Sequence, residues 1–296
     1  MQAEKRQSDL PYIFLPEKYN YVASFLTMAC NLRCSYCINS FGRKQRANKT
    51  FHKSMRGGDW VKGLNRLSLP PDIPITFQGG EPSLHPDFYE IIDGIDPSLN
   101  IDILTNLQFD IREFMKRVPP ERIKRDALYA SIRVSYHPEV MKLGEIKRKV
   151  LIMLQKGYSV GIWAVLHPSR IEEIERAYAE CTKDGIDFRI KEFLGVYQDK
   201  IYGVYKYPDA VTHQTYQCVK CKTTELLISP TGHIFRCHSD LYGGRSPMGH
   251  LCDEDLAIES IYRPCDSYGS CNPCDVKIKT NRFQIFGHTS VDIVFQ

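Results

Sequence analysis

The chain has 296 residues, 43% of them apolar, and 39 basic against 35 acidic residues give a formal charge of +4. That is enough apolar material for one large α/β domain with a small appendage, and no apolar run approaches the ~20 residues of a membrane-spanning helix. The basic residues are spread along the chain, so no charged stripe marks a nucleic-acid track.

The polar opening MQAEKRQSDL lacks the apolar stretch of a secretory signal. A cytoplasmic, reducing location is expected, where eleven cysteines serve as metal ligands more readily than as disulfides. Residues 1–19 read as an N-terminal extension too short for a folded domain. The run 21-YVASFLTMA starts a series of β-branched segments that continues with 73-IPITFQ, 100-NIDILTN, 128-LYASIRVSY, 158-YSVGIWAVL and 187-DFRIKEFL. The last five start 27, 28, 30 and 29 residues apart. Between the segments, 59-DWVKGLNRL, 86-PDFYEIID, 110-DIREFMKRV, 145-EIKRKVLIMLQ and 171-IEEIERAYAECTK carry apolar positions at helical spacing.

Strand and helix alternating at about 30 residues per unit is the rhythm of a parallel sheet. Six units are too few for an eight-stranded barrel. The expected fold class is therefore α/β, a six-stranded partial (β/α)6 TIM-like barrel over residues 20–195 with a small Cys-rich C-terminal domain over 196–296. Active sites of such folds lie at the C-terminal strand ends. Arg43, Lys44, Arg46, Lys49 and Lys53 read as a solvated loop, and Cys181 as a core thiol sharing a helical face with Ile171, Ile174 and Tyr178.

Directly after the first expected strand, 30-CNLRCSYC sets Cys30, Cys34 and Cys37 in a C-x3-C-x2-C loop. Each iron of a [4Fe-4S] cube needs a terminal ligand, most often thiolate, so three cysteines leave one iron open to a chelating ligand. Zinc fits the unequal spacing poorly, and the nearest further ligand is His52, fifteen residues beyond Cys37. After the second strand, 79-GGEP offers two glycines that let the backbone approach a ligand closely. Thr105 and Asn106 follow the third, Ser135, Tyr136 and His137 the fourth, and the fifth carries 161-GIWAV.

The loop pattern C-x3-C-x-aromatic-C, with Tyr36 as the aromatic residue, followed in order by 79-GGEP, resembles the radical S-adenosylmethionine (SAM) superfamily over most of residues 20–195. The resemblance implies a [4Fe-4S] cluster on Cys30, Cys34 and Cys37 with SAM on its open iron. It implies SAM contacts from Tyr36, Gly79, Gly80, Glu81, Pro82, Thr105, Asn106, Ser135, Gly161 and Val165. The implied chemistry is reductive cleavage of SAM to methionine and a 5′-deoxyadenosyl radical, with an electron from a flavodoxin- or ferredoxin-type donor. The expected substrate is a small polar molecule, a sugar or alcohol, that is dehydrogenated or epimerised. Arg133, Tyr136, His137, Lys191 and Glu192 are its candidate contacts. A peptide-modifying enzyme with a separate recognition partner is one alternative, and a non-catalytic metal-stabilised binding or electron-transfer module is another.

Beyond residue 195 the rhythm stops, and Cys218, Cys221, Cys237, Cys252, Cys265, Cys271 and Cys274 follow. A segment so poor in apolar core is expected to be ordered by metal. The run 226-LLISPTGHIFRC reads as a hairpin turning at Thr231 and Gly232. The spacing from Cys221 through Gly232 to Cys237 is similar to the opening of the twitch and SPASM auxiliary-cluster domains of the same superfamily. It implies an auxiliary [4Fe-4S] cluster on Cys221, Cys237, Cys271 and Cys274. Cys218 and Cys265 are further candidate ligands, and the seven thiols could serve a second auxiliary cluster. In another reading 218-CVKC with Cys237 resembles the open cluster of the molybdopterin-precursor synthase, and structural zinc is the plain alternative. Cys252 is a candidate ligand or hydrogen-atom donor, and 288-HTSVDIVFQ reads as a closing strand.

Overall fold

The structure, a computed structural model, describes residues 10–40, 53–212, 217–279 and 288–295. Arg43, Lys44, Arg46, Lys49 and His52 lie outside the described residues, as do residues 1–9. Strands β1 (Ile13–Phe14), β2 (Tyr21–Thr27) and β3 (Leu67–Ser68) come first; β1 pairs with β3, and β2 opens the main sheet. Then β4 (Ile75–Gly79), β5 (Ile101–Thr105), β6 (Ile132–Tyr136), β7 (Val160–Leu166) and β8 (Phe188–Glu192) add to β2 in chain order, every neighbouring pair parallel.

The helices Gly57–Leu64, Phe88–Gly94, Ile111–Arg117, Leu143–Gln155 and Ile171–Lys183 fall where the apolar spacing predicts them. Their buried faces, including Trp60, Ile91, Phe114, Val150 and Ile174, pack on Val22, Leu26, Ile75, Phe77 and Ile103 of the sheet. Cys181 is fully buried in this core.

Because successive strand residues point to opposite faces, a sheet covered on both sides has strands that are apolar throughout. All seven residues of β2 are buried. Val22 and Leu26 enter the core under the helices, whereas Tyr21, Ala23 and Phe25 join a second cluster with Leu227, Phe235, Leu241 and Tyr242.

The second cluster reveals what the sequence rhythm concealed. Beyond the hairpin of β9 (Gly195–Tyr197) and β10 (Lys200–Tyr202), the chain forms β11 (Gln217–Thr223), β12 (Glu225–Ile228), β13 (His233–Phe235), β14 (Gly249–His250), β15 (Arg263–Tyr268) and β16 (Val291–Phe295). Strand β12 pairs in parallel with β2, Glu225 opposite Tyr21, and the sheet runs β14-β13-β12-β2-β4-β5-β6-β7-β8. Part of the Cys-rich segment thus extends the main sheet. Leu226 and Ile228 face the helical core while Leu227 faces the second cluster, a two-sided burial that a hairpin reading does not reveal. The turn is the expected one: the Gly232 amide donates to the Ser229 carbonyl at 2.9 Å, and Gly232 has φ +80°. A separate antiparallel sheet, β15-β11-β16, carries Cys218 and Cys221 on β11 and Cys265 on β15. No helix among the described residues is long and apolar enough to cross a membrane.

Arg66 ties the start of the described chain to the segment that follows β14. Its side chain is fully buried, and its guanidinium donates to the carbonyls of Pro11 (2.8 Å), Leu251 (3.0 Å), Asp253 (2.8 Å) and Glu254 (3.1 Å). The Leu251 bond is buried and the other three partly so; removing the donor forfeits the four bonds and leaves the Leu251 carbonyl without its buried partner. Arg66→Met should therefore destabilise the fold by about 2–4 kcal/mol. The urea-unfolding midpoint reports this, and an unchanged midpoint would show that the carbonyls find other donors.

Candidate functional site

At the C-terminal ends of the parallel strands lies a cavity of about 340 Å³. Cys30, Cys34, Tyr36 and Cys37 line it from the loop after β2, Gly79 and Gly80 from the end of β4, Thr105 and Asn106 from β5, Arg133, Ser135 and His137 from β6, Val165 from β7 and Lys191 from β8. Sequence reasoning singled out every one of these. They converge because parallel strands end on one side and alternate residues face inward.

That alternation also removes some candidates. Tyr136, between Ser135 and His137, points into the helical core instead. Gly161 does not line the cavity; a Cβ there would meet the Asp187 carbonyl at 2.7 Å, so its smallness serves the passage of β7 past its neighbour. Glu81 and Pro82 lie behind the wall.

The cysteine loop is held on several sides. The Ser35 amide and hydroxyl both donate to Glu139, the hydroxyl at 2.7 Å. The Asn106 amide group donates to Asn31 at 2.7 Å and approaches the Cys30 sulfur at 3.9 Å. Asn39 donates to the Gly79 carbonyl at 2.6 Å and itself accepts from the Tyr242 hydroxyl. The Tyr36 ring stacks on His167 at 4.7 Å.

Gly79 and Gly80 are required by this same loop. Gly79 has φ +135°, and a Cβ on either residue would run into the Thr27 or Ala29 carbonyl at 2.2 or 2.1 Å. Those carbonyls accept from the Gly80 and Glu81 amides at 2.8 Å each. The Glu81 carboxylate, 1% exposed, accepts from the Ser83 hydroxyl (2.7 Å), the Thr105 hydroxyl (2.8 Å) and the Asn106 amide (2.7 Å). Burial pushes its pKa up, and these donors oppose the shift. It braces the turn against the end of β5.

The donor set fits an iron–sulfur cluster. None of the eleven cysteines is in a disulfide, and Cys30, Cys34 and Cys37 open onto one cavity. Among the described residues no three His, Cys, Asp or Glu side chains converge closely enough for a single metal ion. A four-iron cube, whose body stands between its thiolates, asks for wider spacing than one ion does.

A second, smaller cavity is lined by Cys221, Cys237, Cys265 and Cys271 with Arg236, Asp240 and Asp275. Cys274 is not among them; it lines the large cavity. Alternation along β11 points Val219 and Cys221 inward and leaves Cys218 exposed, while Cys265 on β15 sits opposite Val219 and hydrogen-bonds Cys221. Burial, with Asp275 and Asp240, pushes the Cys237 thiol well up, and the nearby Arg236 guanidinium opposes that shift; Cys265 is pushed down, first by its hydrogen bond with Cys221 and further by Arg236. Cys252 is in neither cavity: its sulfur lies 3.9 Å from the Asp59 carbonyl, so it is not positioned to donate hydrogen into the large one.

The large cavity also has a wall that sequence reasoning missed, formed by Glu225, His238, Tyr242, Lys277 and Lys279. These come from the segment attached through β12, and no spacing rule connects them to the strand ends. His137 faces the same cavity with its Nδ1 unpartnered, and burial, aided by the Lys191 ammonium and opposed by Glu139, pushes its pKa down to about 4.

Between pH 6.5 and about 4 the unfolded chain takes up a proton at His137 that the folded chain refuses, so this residue costs stability as pH falls through that window. His137→Phe should flatten the fall in Tm between those pH values relative to the unsubstituted protein. An identical fall in both would show that another group is responsible.

No protein-family profile matches the chain. It is 31% identical over 110 residues to the S-adenosylmethionine-dependent nucleotide dehydratase of Selenomonas ruminantium, covering 36% of each chain. It is 27% identical over 194 residues to the GTP 3′,8-cyclase of Listeria welshimeri, covering 60% of this chain and 55% of that one. Over 68 residues it is 32% identical to the mycofactocin maturase MftC of Mycobacterium ulcerans, covering 23% of this chain and 17% of that one. The matches thus span only part of each relative's length. A solved structure of anSMEcpe with bound AdoMet and the Cp18Cys peptide superposes with a TM-score of 0.54 at 12% identity, covering 83% of this chain and 78% of that one. The likeness confirms an α/β fold built on a large, mostly parallel sheet. In its sequence relatives and in its fold alike, the chain is similar to radical SAM enzymes.

Proposed function

We propose that Cys30, Cys34 and Cys37 hold a [4Fe-4S] cluster with SAM on its open iron, and that the enzyme removes a hydrogen atom from a small polar substrate in the same cavity. The observation that carries this reading is that the three thiols, the Gly79 and Gly80 edge, and the polar groups of Thr105, Asn106 and Ser135 all line one cavity. When bound, the cluster and SAM supply a 5′-deoxyadenosyl radical, with the electron coming from a flavodoxin- or ferredoxin-type donor. The chain's own residues hold the geometry. Glu81 fixes the turn after β4 to the end of β5, Glu139 and Asn106 fix the cysteine loop, and the helix His238–Gly243 packs on the inner face of β2. That cover limits water, which would quench a radical.

The relatives named for acting on nucleotides support a small-molecule substrate. A sugar or alcohol is the substrate class, and dehydrogenation or epimerisation the reaction. For dehydrogenation, the substrate would give up a hydrogen atom and then a proton to solvent, and an auxiliary cluster held in the second cavity would supply the acceptor for its second electron. Cys221, Cys237, Cys265 and Cys271 are the four thiolates for that [4Fe-4S] cluster, because they share one cavity with the Arg236 cation. Epimerisation would need a hydrogen-atom donor instead, and Cys274, not Cys252, lines the substrate cavity.

Anaerobically purified protein should contain iron and sulfide and yield 5′-deoxyadenosine with SAM and a reductant; Cys34→Ala should yield none. Zinc as the only metal, or 5′-deoxyadenosine from Cys34→Ala, would refute the reading. For the auxiliary site, Cys265→Ala should lose about four irons per chain. Cys274→Ala should keep them, and the reverse result would return Cys274 to the ligand set.

A further inference from the structure

We infer that the β9–β10 hairpin is a lid, hinged at Gly195 and Gly203, and that its docking on the ring of His167 holds Tyr36 of the cysteine loop in place for SAM. The coupling to SAM rests on the reading of the large cavity as the SAM site. Strand β8 ends at that cavity, and the two residues that follow it, Phe193 and Leu194, line its wall. The hairpin therefore starts at the cavity's rim.

Its construction suits a part that moves as a unit. Strands β9 and β10 pair with each other, Ile201 opposite Val196, and with no other strand among the described residues. A two-stranded hairpin on its own is marginal in water. Its turn is tight, with Gln198 at φ +48° and Asp199 at φ +59°, so the tip keeps its own shape. No residue from 191 to 209 is fully buried, and a segment with so little burial opens more easily than the core.

Both ends of the hairpin carry a glycine in the left-handed region, Gly195 at φ +118° and Gly203 at φ +111°. Residues that end an element and absorb large backbone changes are what hinges are made of. One hydroxyl clasps the base: Tyr205 Oη accepts from the Gly195 amide at 3.2 Å and donates to the Tyr202 carbonyl at 2.5 Å. Tyr205 itself bridges to Lys277, so the clasp is anchored outside the hairpin.

The docking face is aromatic. Phe193 and Tyr197 meet the His167 ring edge to face at 4.6 and 4.8 Å, and Tyr202 meets Phe193 at 5.7 Å. The Ser169 amide donates to His167 Nδ1 at 3.3 Å, so a braced ring touches the hairpin and Tyr36 at once. Tyr36 lines the cavity between Cys34 and Cys37, and its hydroxyl is buried without a hydrogen-bond partner. Ring contacts with His167 and, at 5.6 Å, His137 are what fix it. His167 and Tyr197 are thus positioning residues. A ligand that Tyr36 helps to hold binds the docked state more tightly than the open one and shifts the hairpin toward docking. The coupling is reciprocal, so loosening the hairpin weakens that ligand.

The test uses the full-length, cluster-loaded protein under anaerobic conditions. Hydrogen exchange read by mass spectrometry follows residues 195–202 with and without SAM, and calorimetric titration gives the SAM affinity. SAM should slow exchange in the hairpin about fivefold or more. Tyr197→Ala should speed hairpin exchange and weaken SAM about fivefold, while iron content and exchange in β5 and β6 stay as they are. Tyr197→Phe keeps the ring and should restore both values. Tyr205→Phe removes the clasp alone and should speed hairpin exchange before SAM is added. Hairpin amides that exchange as slowly as those of β6, no slowing by SAM, or SAM affinity untouched by Tyr197→Ala overturns the inference. Formation of 5′-deoxyadenosine in the same samples reports separately on the radical reading. SAM that slows the hairpin without being cleaved sinks that reading and leaves this one standing, and SAM that is cleaved while the hairpin exchanges as before does the reverse.

Discussion

Strand β2 has a parallel neighbour on each edge, β4 on one side and β12 on the other, and the rest of the site depends on that double pairing. On the β4 side, parallel direction brings the cysteine loop, the 79-GGEP turn and the polar ends of β5 and β6 to the same end of the sheet. On the β12 side, it draws the C-terminal segment onto the inner face. Register is fixed because both faces are buried against different partners. A slip of one residue would send Tyr21, Ala23 and Phe25 toward the helices and Val22 and Leu26 into the cavity.

The turn after β4 shows how a motif can have a local cause. Its glycines are required by the Thr27 and Ala29 carbonyls, and its carboxylate by the donors at the end of β5. A buried carboxylate is costly alone, but several well-placed donors offset the cost and convert it into rigidity. Glu81 therefore acts through its neighbours, and the groups that line the cavity are those of Gly79, Gly80, Thr105 and Asn106. Read from sequence, all four residues of 79-GGEP resemble ligand contacts. Folded, two of them support the other two.

The strand-helix rhythm was legible because its signals are local: period-two runs, helical spacing and turn chemistry each act over a dozen residues. The cysteine loop was legible for the same reason. Tyr136 and Gly161 were misplaced because a strand-end position does not say which face a residue takes until the register is known. Cys265 lines the second cavity and Cys274 the first because the second cavity is assembled by the antiparallel pairing of β11 with β15, a contact across some forty residues that C-x2-C spacing does not encode. Lys277 and Lys279 were illegible for a further reason. Lysine is the commonest surface residue on an extended segment, and only burial distinguishes these two from solvated ones.

That burial links the two cavities mechanically. Cys271 faces the small one, Lys277 the large one, and between them lies only Asn272 and the short helix Pro273–Val276. Asn272 caps the helix through the Cys274 amide at 2.9 Å. Asp275 holds the His238 ring at 2.7 Å, at the start of the helix that packs on β2. Val276 is buried in the apolar cluster of the β15-β11-β16 sheet and Asn272 and Asp275 are buried with hydrogen-bond partners, so the stretch connects its two ends rigidly. Order at Cys271, on the wall of the small cavity, is thereby passed along five residues to Lys277 and Lys279 on the wall of the large one.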